Sequence, residues 1–144
     1  MIDQGKMSGA TRETIVASVL DYVAAWNEPD AVARLKILER CWAEYASYVD
    51  PNVELSGSTA FSDHISNVQA GRPGARIEMM SGVDLHHNVV RFLWRVVRAD
   101  GRLGDTSIDF GEVDAGGRLM KIVGFFGEAP KRASEGSARG FRQP

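Results

Sequence analysis

The sequence predicts an α+β domain in which three N-terminal helices pack on a strongly curved, mostly antiparallel β-sheet. Two observations carry this. Apolar residues recur at helical spacing through the first half of the 144-residue chain, and after Gly74 they give way to long runs rich in Val, Ile, Leu and Phe. Compact turn pairs separate those runs, so consecutive strands join as hairpins without helical crossovers.

The first helix is predicted from about Thr11 to Asn27. Ile15, Val16, Val19, Leu20, Val23 and Trp26 form its apolar stripe, and Thr11 is suited to cap its first turn. Tyr22, seven residues after Ile15, falls on or beside that stripe. Pro29 breaks the helix and opens a second, with Val32, Leu35, Leu38, Trp42 and Tyr45 at spacings of three and four. That helix ends before the β-prone run Ser47-Tyr48-Val49, which Asp50-Pro51 closes. A third helix fits Thr59 to Ala70, capped by Ser58, with Phe61, Ile65 and Val68 inward. Residues 75–86, 88–98, 103–113 and 118–127 read as four strands, turned at His87-Asn88, Asp100-Gly101 and Gly116-Gly117. Residues 1–10 are expected to be a polar, flexible N-terminus, residues 11–130 the domain, and residues 131–144 a polar C-terminal tail, since they lack apolar periodicity.

Composition removes several function classes. Hydrophobic residues at 44% and charged residues at 25% are ordinary for a globular chain. A net charge of −2 argues against nucleic acid as a partner. No run approaches the roughly 20 apolar residues of a membrane span. The single Cys41 forms no internal disulfide, is most simply a packing residue, and with the polar start predicts a soluble, cytoplasmic protein. Gly71-Arg72-Pro73-Gly74 lacks the full phosphate-loop pattern, and no nucleophile elbow is present. His86 and His87 are adjacent, so extended backbone makes their rings diverge and no metal site is expected.

Three polar residues remain as candidates for chemistry. Asp50 either reaches a cavity as a base or caps the Asp-Pro turn. Tyr22 either offers its hydroxyl to a ligand or is a core tyrosine. Asp109 lies between Ile108 and Phe110 on a strand; if it faces inward, Ser107 and Gly111 do too. The opposite register would bury Ile108 and Phe110 and solvate Asp109. Phe92 and Trp94 share one strand face and Arg91 and Arg95 the other; the aromatic face is preferred inward. His64 belongs either to the surface of the third helix or to the cavity.

Several segments resemble one superfamily: Tyr22-Val23-Ala24-Ala25-Trp26-Asn27, Asp50-Pro51, Ile108-Asp109 and Gly124-Phe125-Phe126-Gly127-Glu128. They are similar to nuclear-transport-factor-2-like proteins, and within them to SnoaL-like proteins and ketosteroid isomerases. The resemblance spans roughly residues 11–128 and implies a cone of three helices on a curved sheet, with a pocket open at one end. It implies Asp50 as general base, with Tyr22 and a protonated Asp109 as hydrogen-bond donors to an enolate oxygen. That site type is the handling of a neutral carboxylic acid described for ketosteroid isomerase itself. A second helix longer by about one turn is the departure from the pattern.

The expected function is therefore proton transfer on a small apolar carbonyl compound, without metal or cofactor. Trp26, His64, Phe92 and Trp94 are the expected substrate-binding residues. Two alternatives stand beside it: a non-catalytic binder or dimeric scaffold, and an epoxide hydrolase. The last would need an arginine and an aspartate two apart on a strand, and Arg98-Ala99-Asp100 offers only a turn. Ile108, Phe110, and several of Leu119, Ile122 and Phe125 are expected on the outer sheet face, predicting a two-fold homodimer.

Overall fold

A computed structural model describes residues 10–133. The expected N-terminal segment, save its last residue, and the tail beyond residue 133 lie outside the described residues. The chain runs α1 (Arg12–Asn27), α2 (Ala31–Cys41), β1 (Trp42–Asp50), β2 (Val53–Ser56), α3 (Ser58–Gly71), β3 (Arg76–Met79), β4 (Asp84–His86), β5 (Val89–Val97), β6 (Ser107–Val113) and β7 (Leu119–Phe125). The strands form one sheet in the order β2-β1-β7-β6-β5-β3, and β4 also pairs with β5. Every pairing is antiparallel except β1 with β7, which is parallel. The α+β class, the three helices and the hairpin-linked strands agree with the sequence reading.

α1 starts as expected: Thr11 Oγ1 accepts from the Thr14 amide and caps the first turn. Its buried face is Ile15, Ser18, Val19, Tyr22 and Ala25; Leu20 is on the exposed side. α2 differs more. It stops at Cys41, and Trp42 and Tyr45 lie on β1. Its buried positions are Arg34, Leu38 and Cys41, while Val32 and Leu35 are exposed. The extra helical turn is thus absent. α3 is capped by Gly57, not Ser58; Gly57 has φ +89°, a conformation that Ser would adopt only under strain. The predicted strand over 75–86 is two strands, β3 and β4, interrupted around Ser81-Gly82.

The core lies between the helices and the concave sheet face, around Ile15, Val19, Leu38, Phe61, Ile65 and Phe92. Leu119 and Ile122 belong to it, fully buried, and not to the outer face. The β6–β7 register shifts between Glu112 and Val113, leaving Met120 as an extra residue. A bulge of this kind turns two residues three apart to the same face. The outer-face expectation holds for Phe110 and Phe125, which are 41% and 56% exposed.

One polar contact fixes the helices. The fully buried Arg34 guanidinium donates to the Glu28 and Pro29 carbonyls in the α1–α2 turn. On α3 it donates to the Ser62 carbonyl, to the Ser62 and Ser66 hydroxyls and to Gln69 Oε1. Gln69 Nε2 in turn donates to the Trp26 and Glu28 carbonyls. Burial pulls the Arg34 pKa below its ordinary value.

Candidate functional site

A cavity of about 90 Å³ opens between α1, α3 and the concave sheet face. At roughly 10–15 Å³ per water on this measure, it has room for a small organic molecule. Trp26, Phe92, Trp94, Val96 and Phe126 supply apolar wall, and the exposed Asn52 and Arg72 mark the end that meets solvent. Tyr22, Asp50, His64 and Asp109 all line it. The seven residues expected from the sequence as catalytic or substrate-binding therefore share one cavity.

Asp109 faces inward with Ser107 and Gly111, while Phe110 is exposed, so the strand has the inward register. It is 3% exposed. Tyr22 Oη donates to its Oδ2 at 3.1 Å and Trp94 Nε1 to its Oδ1 at 2.9 Å. Burial raises the Asp109 pKa to about 7, against the lowering pull of those two donors. Near neutral pH a substantial share of Asp109 is a neutral acid. Both of its protein partners are donors, so its own proton is left for an acceptor in the cavity. Burial, and then the charge of Asp109, raises the Tyr22 pKa well above normal, and Tyr22 stays a phenol.

Asp50 both caps its turn and reaches the cavity. Its Oδ1 accepts from the Asn52 and Val53 amides at 2.8 and 3.1 Å, capping the turn. Its Oδ2 turns to the cavity and accepts from Tyr48 Oη at 2.7 Å. A methyl group placed on Gly124 would lie 2.8 Å from Asp109 Oδ1 and 3.7 Å from Asp50 Cβ, so the two aspartates approach the same backbone position of β7. His64 is a cavity residue, with Nε2 4.0 Å from Asp50 Oδ2.

One side chain of the site escaped the sequence reading, and a second was read only in part. Tyr48 was seen only as part of a β-prone run, although its spacing of two from Asp50 puts both on one strand face. Trp94 was read as apolar wall; its indole N–H is a donor to Asp109. Arg95 pairs with Glu78 at 2.7 Å and not with Asp109, so the arginine–aspartate arrangement of an epoxide hydrolase is not formed. The His86 and His87 rings do not diverge. His87 has φ +52°, which folds the pair back until their Nδ1 atoms are 3.1 Å apart. Among the described residues no group of three or more His, Cys, Asp or Glu has metal-binding geometry, and no helix is long and apolar enough to cross a membrane.

No family model and no curated protein matches this sequence. Solved structures do. One is a SnoaL-like family protein from Agrobacterium tumefaciens strain C58, described as a candidate isomerase, at 30% identity and TM-score 0.75. The alignment covers 81% of this chain and 99% of that one. A SnoaL-like protein of unknown function from Burkholderia thailandensis E264 is similar at 17% identity and TM-score 0.61, over 82% and 98% of the two chains. A candidate polyketide cyclase from Xanthomonas campestris pv. campestris has 17% identity and TM-score 0.58, over 80% and 91%. The last two share the fold alone. With its three helices on a curved sheet and a near-complete alignment to the Agrobacterium protein at 30% identity, the chain belongs to the SnoaL-like family.

Proposed function

We propose that this cavity moves a proton on a small, largely apolar carbonyl compound, as an isomerase or lyase does, with Asp50 as the base. One observation carries the reading: two carboxylates line the same largely apolar cavity, and one of them is a neutral acid for much of the time near neutral pH. Asp50 Oδ2 accepts from Tyr48 and keeps a second lone pair for a carbon-bound proton. The negative charge then grows on the carbonyl oxygen. Protonated Asp109 donates to it, backed by Tyr22 and Trp94, in a space from which most water is excluded. The candidate isomerase activity ascribed to the Agrobacterium protein agrees with this chemistry.

The test is hydrogen–deuterium exchange at the activated carbon of a panel of apolar ketones, followed by mass spectrometry. Catalysed exchange in at least one ketone is expected. Binding by thermal shift with no exchange across the panel would favour a non-catalytic binder instead. The two backbone donors on Asp50 are those of an ordinary turn cap, and they favour that second reading.

We further propose a homodimer joined through the outer sheet face. Phe110 and Phe125 meet edge to face there, with ring centroids 6.2 Å apart, and Ile108 and Val123 stand opposite them in register. Light scattering of Phe125→Glu should give a monomer where the wild type gives a dimer. The single buried cysteine fits a reducing compartment, and we assign the protein to the cytoplasm.

A further inference from the structure

His64 sits on α3 between Trp26 and Tyr48, its ring centroid 5.9 and 5.8 Å from theirs. Its Nε2 is sealed from solvent, has no hydrogen-bond partner, and lies 4.0 Å from Asp50 Oδ2. Of the buried positions on the same helix, Phe61 and Ile65 are apolar and Ser62 is spent on Arg34. An unpartnered nitrogen in such a place is destabilising, so packing alone gives no reason for a histidine. The side chain as a whole still keeps 15% of its surface, against 5% for Asp50. The ring therefore spans from the enclosed carboxylate toward solvent. Tyr48, the side chain that is hydrogen-bonded to Asp50 Oδ2, is itself only 3% exposed.

Burial lowers the His64 pKa, against the raising pull of Asp50, so the ring is neutral near pH 7 and one nitrogen has a free lone pair. Imidazole can take a proton at one nitrogen and release another from the second. Resting on the proton-transfer reading above, we propose that His64 is the exit by which the proton taken up by Asp50 reaches solvent. Asp50 Oδ2 removes the proton from carbon and becomes a carboxylic acid. That acid passes the proton to Nε2, across a gap that a small rotation or one bridging water closes. The imidazolium gives its Nδ1 proton to solvent, which regenerates the Asp50 carboxylate and a neutral ring. Run in reverse, the same path returns a solvent proton. His64 acts through Asp50 and is a positioning residue in this scheme. It sets how much of the substrate's own proton is lost in each turnover.

The experiment follows a label. A β,γ-unsaturated ketone carrying deuterium on the carbon between alkene and carbonyl is converted in ordinary water, and mass spectrometry measures the label kept at the γ-carbon. Wild type should lose most of it. His64→Gln has a nitrogen of similar reach that cannot relay protons, and should raise the retained share about threefold or more. The readout is label per turnover, so a change in rate does not affect it. His64→Leu removes the orphaned nitrogen; it should keep or raise the melting temperature and give the same retention as His64→Gln. Equal retention in wild type and both variants overturns the proposal. Asp50→Asn should lower conversion about 10³-fold or more. Binding without conversion by wild type across the ketone panel would overturn the proton-transfer reading, and the exit with it.

Discussion

Asp109 and Asp50 share a cavity but are held in opposite ways. Asp109 sits mid-strand, where the backbone amides on both sides are committed to the ladders with β5 and β7. Only side chains can serve it, and it receives one from α1 and one from β5. Asp50 ends its strand, where the turn leaves two amides free to bond its Oδ1. The difference shows how position along a strand divides labour between chemically identical groups. A carboxylate enclosed mid-strand resists ionisation in spite of its two side-chain donors, and makes a donor itself. One whose outer oxygen is fixed by the backbone keeps the inner oxygen aimed and available.

The sharpest way to break this division is Asp50→Asn. It keeps the shape and the turn contacts but removes the base, and should lower proton transfer about 10³–10⁴-fold, with the fold intact by circular dichroism. Asp109→Asn probes the other half through pH. The unfolded chain releases this proton near the ordinary 3.8, whereas the folded protein holds it to about 7. Stability from this group is therefore full below 3.8 and is lost as pH rises through about 7. Denaturant titrations should show wild-type stability falling by about 4 kcal/mol over that interval, and Asp109→Asn should remove the slope. An unchanged slope would mean that Asp109 ionises normally.

Tyr22→Phe should have a smaller effect, about 10²-fold on turnover, because Asp109 keeps its bond from Trp94. A loss as large as that of Asp50→Asn would put Tyr22 on the substrate oxygen directly. Gly124→Ala tests the space the two carboxylates share. Its added methyl meets Asp109 Oδ1 at 2.8 Å, and melting curves should show a cost of about 1–3 kcal/mol.

Much of this was legible in the sequence because the relevant periods were clean. Alternation along β6 put Ser107, Asp109 and Gly111 on one face, and the same rule turned Phe92 and Trp94 inward. The failure at α2 and β1 has an equally plain cause. Trp42 follows Leu38 by four residues, a spacing that continues a helix and also preserves the face of a strand. The β1–β7 register is irregular between Trp42 and Ser47, so alternation there was never clean. Leu119 and Ile122 misled for a related reason: a bulge changes the face count by one, and no composition announces it. The donors to the carboxylates were harder still. A tyrosine or tryptophan reads as apolar until the geometry shows where its one polar hydrogen goes.

Arg34 has a consequence for the cavity. Space lined by aromatic rings tends to collapse, since its walls gain contact by closing. Here Trp26, His64 and Val68, which form the helical wall, sit on backbone that Arg34 and Gln69 brace from behind. The brace acts on carbonyls and hydroxyls, outside the cavity itself. Wall side chains can thus be exchanged without slackening the frame, and a ligand arrives at a room already built. The scaffold separates the problem of staying open from the problem of choosing an occupant, and a lineage is free to rework the second while the first is left alone.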